Sequence, residues 1–168
     1  MTVVIAVGNP KPGSRTRLAA EAVAQQLADE PHPAVIELAE LGPALLSWGD
    51  EAVAAAKQQV LDADLVIFAS PTYKATYTGL LKLFLEQFKA GELDGKPSIA
   101  LMLGGSPHHS LAPELTLKPV LSEIGASCPL PGLYLIDATW EDDGVLAEWV
   151  ERGRRTLGGR RNAAAGER

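Results

Sequence analysis

Short apolar runs alternate with longer segments of helical periodicity, and this alternation constrains the fold more than any other feature of the sequence. The apolar runs predict strands that are buried on both faces, at residues 3–7, 34–38, 65–69, 98–103 and 133–136. The intervening segments repeat apolar residues at helical spacing, from residue 14 until Pro31 stops the pattern, and over residues 51–62, 77–89, 111–124 and 145–157. A turn signal at Gly42-Pro43 predicts a loop over residues 41–49.

This order of elements predicts an α/β fold with a parallel sheet. Each crossover is long enough for a right-handed βαβ unit, so helices should cover both faces of the sheet. Five strands suit the flavodoxin-like doubly wound order 2-1-3-4-5. We expect one domain over residues 1–157. The Gly/Ala/Arg-rich segment 158–168 lacks apolar periodicity and is predicted to be disordered.

Composition excludes several classes of protein. A formal net charge of −6 argues against nucleic acid as a partner, because phosphate backbones require a basic face. No apolar stretch reaches the length of a membrane helix, and no basic segment precedes the first apolar run, so we expect a cytoplasmic protein. The single cysteine, Cys128, has no activating neighbour and is interpreted as a packed thiol.

The loop over residues 8–16 connects the first predicted strand to the first predicted helix. Free amides and the positive dipole end at a helix N-terminus attract anions, and the hydroxyls of Ser14 and Thr16 can donate to the same group. Lys11 and Arg15 can add charge-assisted hydrogen bonds. We therefore predict a phosphate site, with Ser14 as a plain helix cap as the alternative.

Two nucleotide motifs fit this loop poorly. Gly8 and Gly13 have the spacing of a Walker A loop, but Ser14 and Arg15 stand where that motif needs Lys and Ser/Thr. The dinucleotide fingerprint G-x-G-x-x-G is also absent.

The loops after the third and fourth strands should meet the first loop at the same edge of the sheet. After Pro71, the amides of Thr72, Tyr73 and Lys74 are predicted to face an aromatic ligand, with Tyr73 against its plane. A surface turn with an exposed tyrosine is the alternative.

The third loop contains two glycines followed by a pair of histidines. Gly104 and Gly105 would let a ligand approach the backbone closely. His108 and His109 are adjacent and lack supporting carboxylates or thiols, so they are interpreted as exposed loop residues and no metal site is predicted.

The three loops together resemble one family. The segments G-N-P-K-P-G-S-R-T, S-P-T-Y-K-A-T-Y-T-G and G-G-S, in this order on this strand pattern, are similar to those of NADPH-dependent FMN reductases. Residues 71–82 and the segment L-K-P-V-L at 117–121 resemble in particular the flavin reductases that serve two-component alkanesulfonate monooxygenases. The resemblance covers about residues 2–155.

This resemblance implies positions for FMN. The residues implied around the phosphate are Asn9, Lys11, Ser14, Arg15 and Thr16. Those implied along the isoalloxazine are Pro71, Thr72, Tyr73 and Lys74, with Gly104, Gly105 and Ser106 at its other edge.

Two departures from the family pattern stand out. Asn9 and Lys11 replace the usual Ser and Arg, so the bidentate fork of arginine is lost at residue 11. Residues 113–116 contain no aromatic where two-component reductases often insert one in a π-bulge. Pro119 still predicts a kink or bulge in that helix, because proline removes one backbone hydrogen bond.

The resemblance implies hydride transfer from NADPH or NADH to FMN, without a catalytic acid or base from the protein. It also implies a homodimer or homotetramer and, as a possible partner, a flavin-dependent monooxygenase that takes up reduced FMN. Two alternatives remain open, an FMN-containing quinone or azo reductase and a non-enzymatic electron carrier of the flavodoxin type. Against the carrier, aromatic residues make up only 5% of the chain.

Overall fold

Five parallel strands form the centre of the protein in a computed structural model that describes the backbone of residues 1–165 and the side chains of residues 1–156. The strand order is β2-β1-β3-β4-β5, which confirms the predicted flavodoxin-like topology. The strands are β1 (Val3–Val7), β2 (Ala34–Glu37), β3 (Leu65–Pro71), β4 (Ser98–Gly104) and β5 (Leu133–Ile136).

Six α-helices cover the sheet within the described residues. They are α1 (Arg15–Ala28), α2 (Leu38–Leu41), α3 (Glu51–Asp62), α4 (Gly79–Leu85), α5 (Lys118–Glu123) and α6 (Val145–Ala165). None of the helices in the described part of the chain is long and apolar enough to cross a bilayer.

Alternate residues of the strands build a hydrophobic core on each face of the sheet. Ala6 and Phe68 lie in one core, which includes side chains of α3, α4 and α5. Ile5 and Ile67 lie in the other, against α1 and α6. Because both faces are covered, the central strands are apolar throughout, as their continuous runs predicted.

The predicted loop at residues 41–49 is partly helical, which corrects the sequence interpretation. The short helix α2 ends at Leu41, and a 3₁₀ helix follows over Gly42–Leu46. Leu38 and Leu45 are buried in the core, so tertiary packing stabilises elements that are too short to form alone. The Gly42-Pro43 signal marks the junction between them.

Helix α4 is shorter than residues 77–89, the predicted span. Thr78 caps its N-terminus by accepting a hydrogen bond from the Leu81 amide. After Leu85 the amides of Gln87 and Phe88 bond three residues back, so the chain continues as turns although its apolar spacing is still helical. Periodicity detects which residues are buried and does not distinguish these hydrogen-bond patterns.

The helix predicted over residues 111–124 contains the bulge that Pro119 indicated. A π-helical turn spans Pro113–Leu117, and the Lys118 amide donates to the Pro113 carbonyl, five residues back. Helix α5 follows directly. The prediction of a kink or bulge is confirmed, and the turn lies just before the proline.

Helix α6 extends further than predicted. Its backbone continues past residue 157 to Ala165, through much of the segment for which the sequence predicted disorder. Alanine and arginine both favour helix, so the lack of apolar periodicity did not prevent a helical backbone there. Residues 166–168 of that segment lie outside the described residues.

A buried polar network ties β1 to the segment that enters α4. The Thr78 hydroxyl donates to the Gly8 carbonyl at 2.6 Å, and the Thr78 amide donates to Ser70 Oγ at 3.0 Å. The Gly8 amide donates to the Ala69 carbonyl at 2.7 Å. A side chain at Gly8 would place its Cβ 2.6 Å from that of Leu81, so glycine is required for this close approach. The network joins the loops that follow β1 and β3.

Replacement of Thr78 by valine should destabilise the fold. Thr78→Val keeps the shape but leaves the buried Gly8 carbonyl and Leu81 amide without their partner, at a cost of about 2 kcal/mol in the free energy of unfolding. Urea unfolding measures this change. Thr139→Val, which removes an exposed hydroxyl bonded to Asp143, serves as the control and should cost far less. Equal losses in the two variants would contradict the role given to the network.

Candidate functional site

A cleft of about 380 Å³ lies at the carboxyl ends of β1, β3, β4 and β5. In this strand order the connections from β1 and β3 run to opposite faces of the sheet, and the cleft opens where they diverge. All three loops singled out in the sequence contribute to it. Of the predicted site residues, those that line the cleft are Asn9, Lys11, Ser14, Arg15, Thr16, Pro71, Thr72, Tyr73, Gly104 and Gly105.

The loop after β1 is shaped by local hydrogen bonds. Asn9 accepts from the Lys11 amide at 2.9 Å and donates to Thr16 Oγ1 at 3.0 Å, so its side chain spans the loop. Gly13 has φ +62°, a left-handed conformation that glycine adopts without strain. Ser14 caps α1 by accepting from the Arg17 amide at 3.4 Å. The alternative prediction, that Ser14 caps the helix, is therefore confirmed.

The cap leaves several hydrogen-bond donors at the start of α1 without a protein partner in the part of the chain that the structure describes. Within the described residues, the amides of Ser14, Arg15 and Thr16 donate to no protein group, as expected for the first turn of a helix. The hydroxyl of Ser14 accepts a bond and keeps its own proton, and so does that of Thr16. Together with the charges of Lys11 and Arg15, this donor set has the chemistry of a phosphate site.

The loop after β3 forms a tight two-residue hairpin. Tyr73 and Thr76 exchange backbone hydrogen bonds of 2.9 and 3.2 Å, and Lys74 and Ala75 at its tip have φ +52° and +67°. Left-handed backbone at two residues other than glycine is strained, and such strain concentrates at functional sites. The hairpin leaves Tyr73 52% exposed beside the cleft.

This hairpin corrects part of the sequence interpretation. The Thr72 amide donates to the Leu103 carbonyl at 2.6 Å and the Tyr73 amide to the Thr76 carbonyl, so neither is free for a ligand. Lys74 lies at the tip and does not line the cleft. The sequence did not reveal that β4 pairs with the Thr72 amide, or that the turn pairs with the Tyr73 amide. The second loop therefore offers the cleft mainly its Pro71, Thr72 and Tyr73 side chains.

The loop after β4 presents bare backbone. No atom lies within 4 Å of a Cβ built on Gly105, so this residue faces open space. A Cβ on Gly104 would lie 1.9 Å from the hydroxyl of Tyr134. That hydroxyl donates to the Ser106 carbonyl at 2.7 Å and holds the loop against β5. Burial raises the pKa of Tyr134, so this phenol stays protonated as the donor.

Ser106 and the histidines flank the cleft and do not line it. Ser106 caps the 3₁₀ turn Pro107–His109, and its hydroxyl lies 2.8 Å from Nδ1 of His108. Across the part of the chain that the structure describes, no three His, Cys, Asp or Glu side chains group as metal ligands would.

Four lining residues are absent from the predicted set: Gly13, Leu18, Leu103 and Asp137. Asp137 lies 3.3 Å from Arg15 in an ion pair across the cleft. Asp137 directly follows β5, so the rule that ligands bind at carboxyl strand ends could have identified it. Leu18 lies one turn after Ser14 on α1, a position that helical spacing could have indicated.

The geometry defines a class of protein, namely a flavodoxin-like α/β protein with a cleft at the carboxyl ends of its strands and free hydrogen-bond donors after β1. The sequence profile of the family described as NADPH-dependent FMN reductase matches residues 1–141. The chain belongs to this family, and the resemblance stated from its loops is confirmed.

Individual proteins are similar to the chain over different lengths. The chain is 41% identical over 81 residues to the FMN reductase (NADPH) of Escherichia coli strain K12, an alignment that covers 48% of this chain and 42% of that protein. It is 31% identical over 149 residues to the NADH-dependent FMN reductase SfnE of Pseudomonas putida, covering 84% and 80%. The apo crystal structure of the NADH:FMN oxidoreductase EMOB superposes with a TM-score of 0.81 at 30% identity, covering 91% and 88%.

Cys128 lies outside the cleft and is half-buried against the core. Burial raises the pKa of its thiol to about 11. The thiol should therefore be about one-thousandth ionised at pH 8 and react slowly with a disulfide reagent. Labelling of the native protein should be much slower than after denaturation, and Cys128→Ala should retain activity. Fast labelling of the native protein would overturn the interpretation of a packed thiol.

Proposed function

We propose that the chain is an NAD(P)H-dependent FMN reductase, which binds FMN in the cleft at the carboxyl ends of the strands. The observation that carries this proposal is the set of free amides and hydroxyls at the start of α1, next to an open cleft. A phosphate matches that set in charge and hydrogen bonding. Family membership supplies the rest of the ligand, a flavin.

The first loop would hold the phosphate end of FMN. The amides of the first turn of α1 would donate to phosphate oxygens, and the Ser14 and Thr16 hydroxyls would add two donors. Lys11 and Arg15 neutralise charge, and Asn9 keeps the loop in shape through its bonds to Lys11 and Thr16. Arg15, which pairs with Asp137 across the cleft, would turn towards the phosphate when it binds.

The second and third loops would hold the isoalloxazine. Pro71, Thr72 and Tyr73 line one side of the cleft, with Lys74 at the hairpin tip. Gly104 and Gly105 line the other side, and Ser106 follows them. The space beside Gly105 admits a planar ring close to the backbone.

Bound FMN supplies the redox chemistry by accepting a hydride from the nicotinamide. The open cleft would position the flavin and leave room for the nicotinamide beside it. No acid or base from the chain is needed for this step. Tyr73, half-exposed beside the cleft, would border the ring plane.

We further propose that a cytoplasmic homodimer or homotetramer of the chain delivers reduced FMN to a flavin-dependent monooxygenase. The chain has relatives named as FMN reductases. The exposed Leu111 and Leu115, one helical turn apart near the π-helical turn, form an apolar surface for a second copy. The π-helical turn Pro113–Leu117 lacks the aromatic residue that two-component reductases often insert, and this departure counts against delivery.

NADPH oxidation by the purified protein, with and without added FMN, tests the proposed function. We expect the rate of loss of nicotinamide absorbance to rise with added FMN and to saturate. A yellow protein that turns over only with a quinone or azo dye would instead favour the second reductase class. Absence of both flavin binding and oxidation would refute the proposal.

The phosphate assignment predicts a difference between FMN and riboflavin, which lacks the phosphate. The double variant Ser14→Ala/Thr16→Ala removes two phosphate donors and should weaken FMN binding by about tenfold to a hundredfold. Riboflavin binding should change little, and titration of flavin fluorescence measures both. Asp50→Ala, which removes the cap of α3 away from the cleft, is the matched control. Unchanged FMN affinity in the double variant would contradict the assignment.

A further inference from the structure

Glu37 is a buried carboxylate next to the phosphate loop that the proposed mechanism does not use. It is the last residue of β2, and its side chain is only 3% exposed. Oε1 accepts from the Gly13 amide at 2.9 Å and from Arg17 Nη1 at 3.4 Å. Among the described residues, Oε2 has no hydrogen-bond partner. A buried carboxylate oxygen without a partner is unfavourable for stability, so its presence calls for a physical reason.

Glu37 contacts Gly13, the residue that sets the direction of the loop as it enters α1. Gly13 adopts the left-handed conformation directly before Ser14, so its orientation determines where the first amides of α1 point. Gly13 has no side chain of its own, and glycine has the greatest backbone freedom of all residues. A bond from Glu37, which is 24 residues away in the chain, restricts that freedom.

Arg17 completes the arrangement on the side away from the cleft. Its Nε donates to Glu21 at 2.8 Å, and that bond, with a smaller contribution from Glu37, raises the pKa of Arg17. Arg17 does not line the cleft, whereas Arg15 does. Arg15 is therefore the arginine available to an anion in the cleft.

We propose that Glu37 is a positioning residue for FMN, which holds the Gly13 amide so that the first turn of α1 is ordered before the phosphate binds. This role rests on the proposed function. A loop that is ordered in advance lowers the conformational-entropy cost of binding. The resulting gain in affinity comes from the contacts with the phosphate group. The essential property of Glu37 is then the reach of Oε1 to the Gly13 amide, and its negative charge is secondary.

Two conservative variants separate reach from charge. Glu37→Gln keeps an acceptor oxygen at the same distance and removes the charge, whereas Glu37→Asp keeps the charge and shortens the side chain by one methylene group. Fluorescence titration should show FMN binding weakened about tenfold in Glu37→Asp and within about threefold of the unaltered protein in Glu37→Gln. Riboflavin affinity should change little in either variant, which distinguishes an effect on the phosphate loop from general damage to the cleft.

Glu21→Gln is the matched control, because Glu21 also bonds Arg17 but makes no contact with the loop. It should leave FMN affinity unchanged. Circular dichroism checks that each variant is folded. Because both Glu37 variants keep a polar side chain at this position, we expect at least one of them to fold.

The outcomes separate this role from the proposed function. If the unaltered protein binds no FMN, the proposed function fails and the role of Glu37 fails with it. If FMN binds normally and Glu37→Asp retains full affinity, only the positioning role is overturned. Tighter FMN binding in Glu37→Gln would show that repulsion between Glu37 and the phosphate dominates, which also overturns it.

Discussion

Parallel pairing between β1 and β3 is the interaction on which the cleft depends. The register runs from Val3 opposite Leu65 to Val7 opposite Ala69, and β3 continues for two more residues, to Pro71. The Gly8 amide extends this ladder by one bond to the Ala69 carbonyl. The chain then leaves β1 towards one face of the sheet and β3 towards the other. A space between the two connections follows from this topology, whatever side chains surround it.

The start of α1 gives that space its chemical character. A helix beginning at the edge of a buried sheet leaves its first amides unpaired and its positive dipole end facing the cleft. Although the whole chain carries a formal charge of −6, Lys11 and Arg15 line this part of the cleft, with Asp137 opposite. The local field is therefore set by a helix end and two cations, and the overall charge of the protein has little bearing on it. A ligand that reaches the cleft meets donors already oriented.

Polar groups behind the cleft hold its loops in position. Thr78 connects the loop after β1 with the entry to α4, and Tyr134 connects the loop after β4 with β5. The hairpin after β3 is held by its own backbone hydrogen bonds. Its two tip residues, Lys74 and Ala75, adopt the left-handed conformation and are strained. Strain at the tip and rigidity at the base place Tyr73 beside the open cleft.

Much of this architecture follows from the sequence alone. Apolar runs and helical spacing predicted β1, α3 and β5 with the bounds observed, and the count of alternating elements led to the correct strand order. Ser14 as a helix cap and the glycines beside the cleft were also evident, because caps and turns depend on a few neighbouring residues. Local signals of this kind, together with the family resemblance that added Asn9, identified ten of the residues that line the cleft.

Tertiary structure alone decided the contacts between distant segments. The bond from Glu37 to Gly13, the pair of Arg15 with Asp137 and the pairing of the Thr72 amide with Leu103 form only after the strands are in register. The short helix α2 exists because Leu38 is buried in the core, which local propensity does not encode. Sequence patterns report interactions over a few residues, whereas these contacts join residues far apart in the chain, and their geometry is set by the packed sheet.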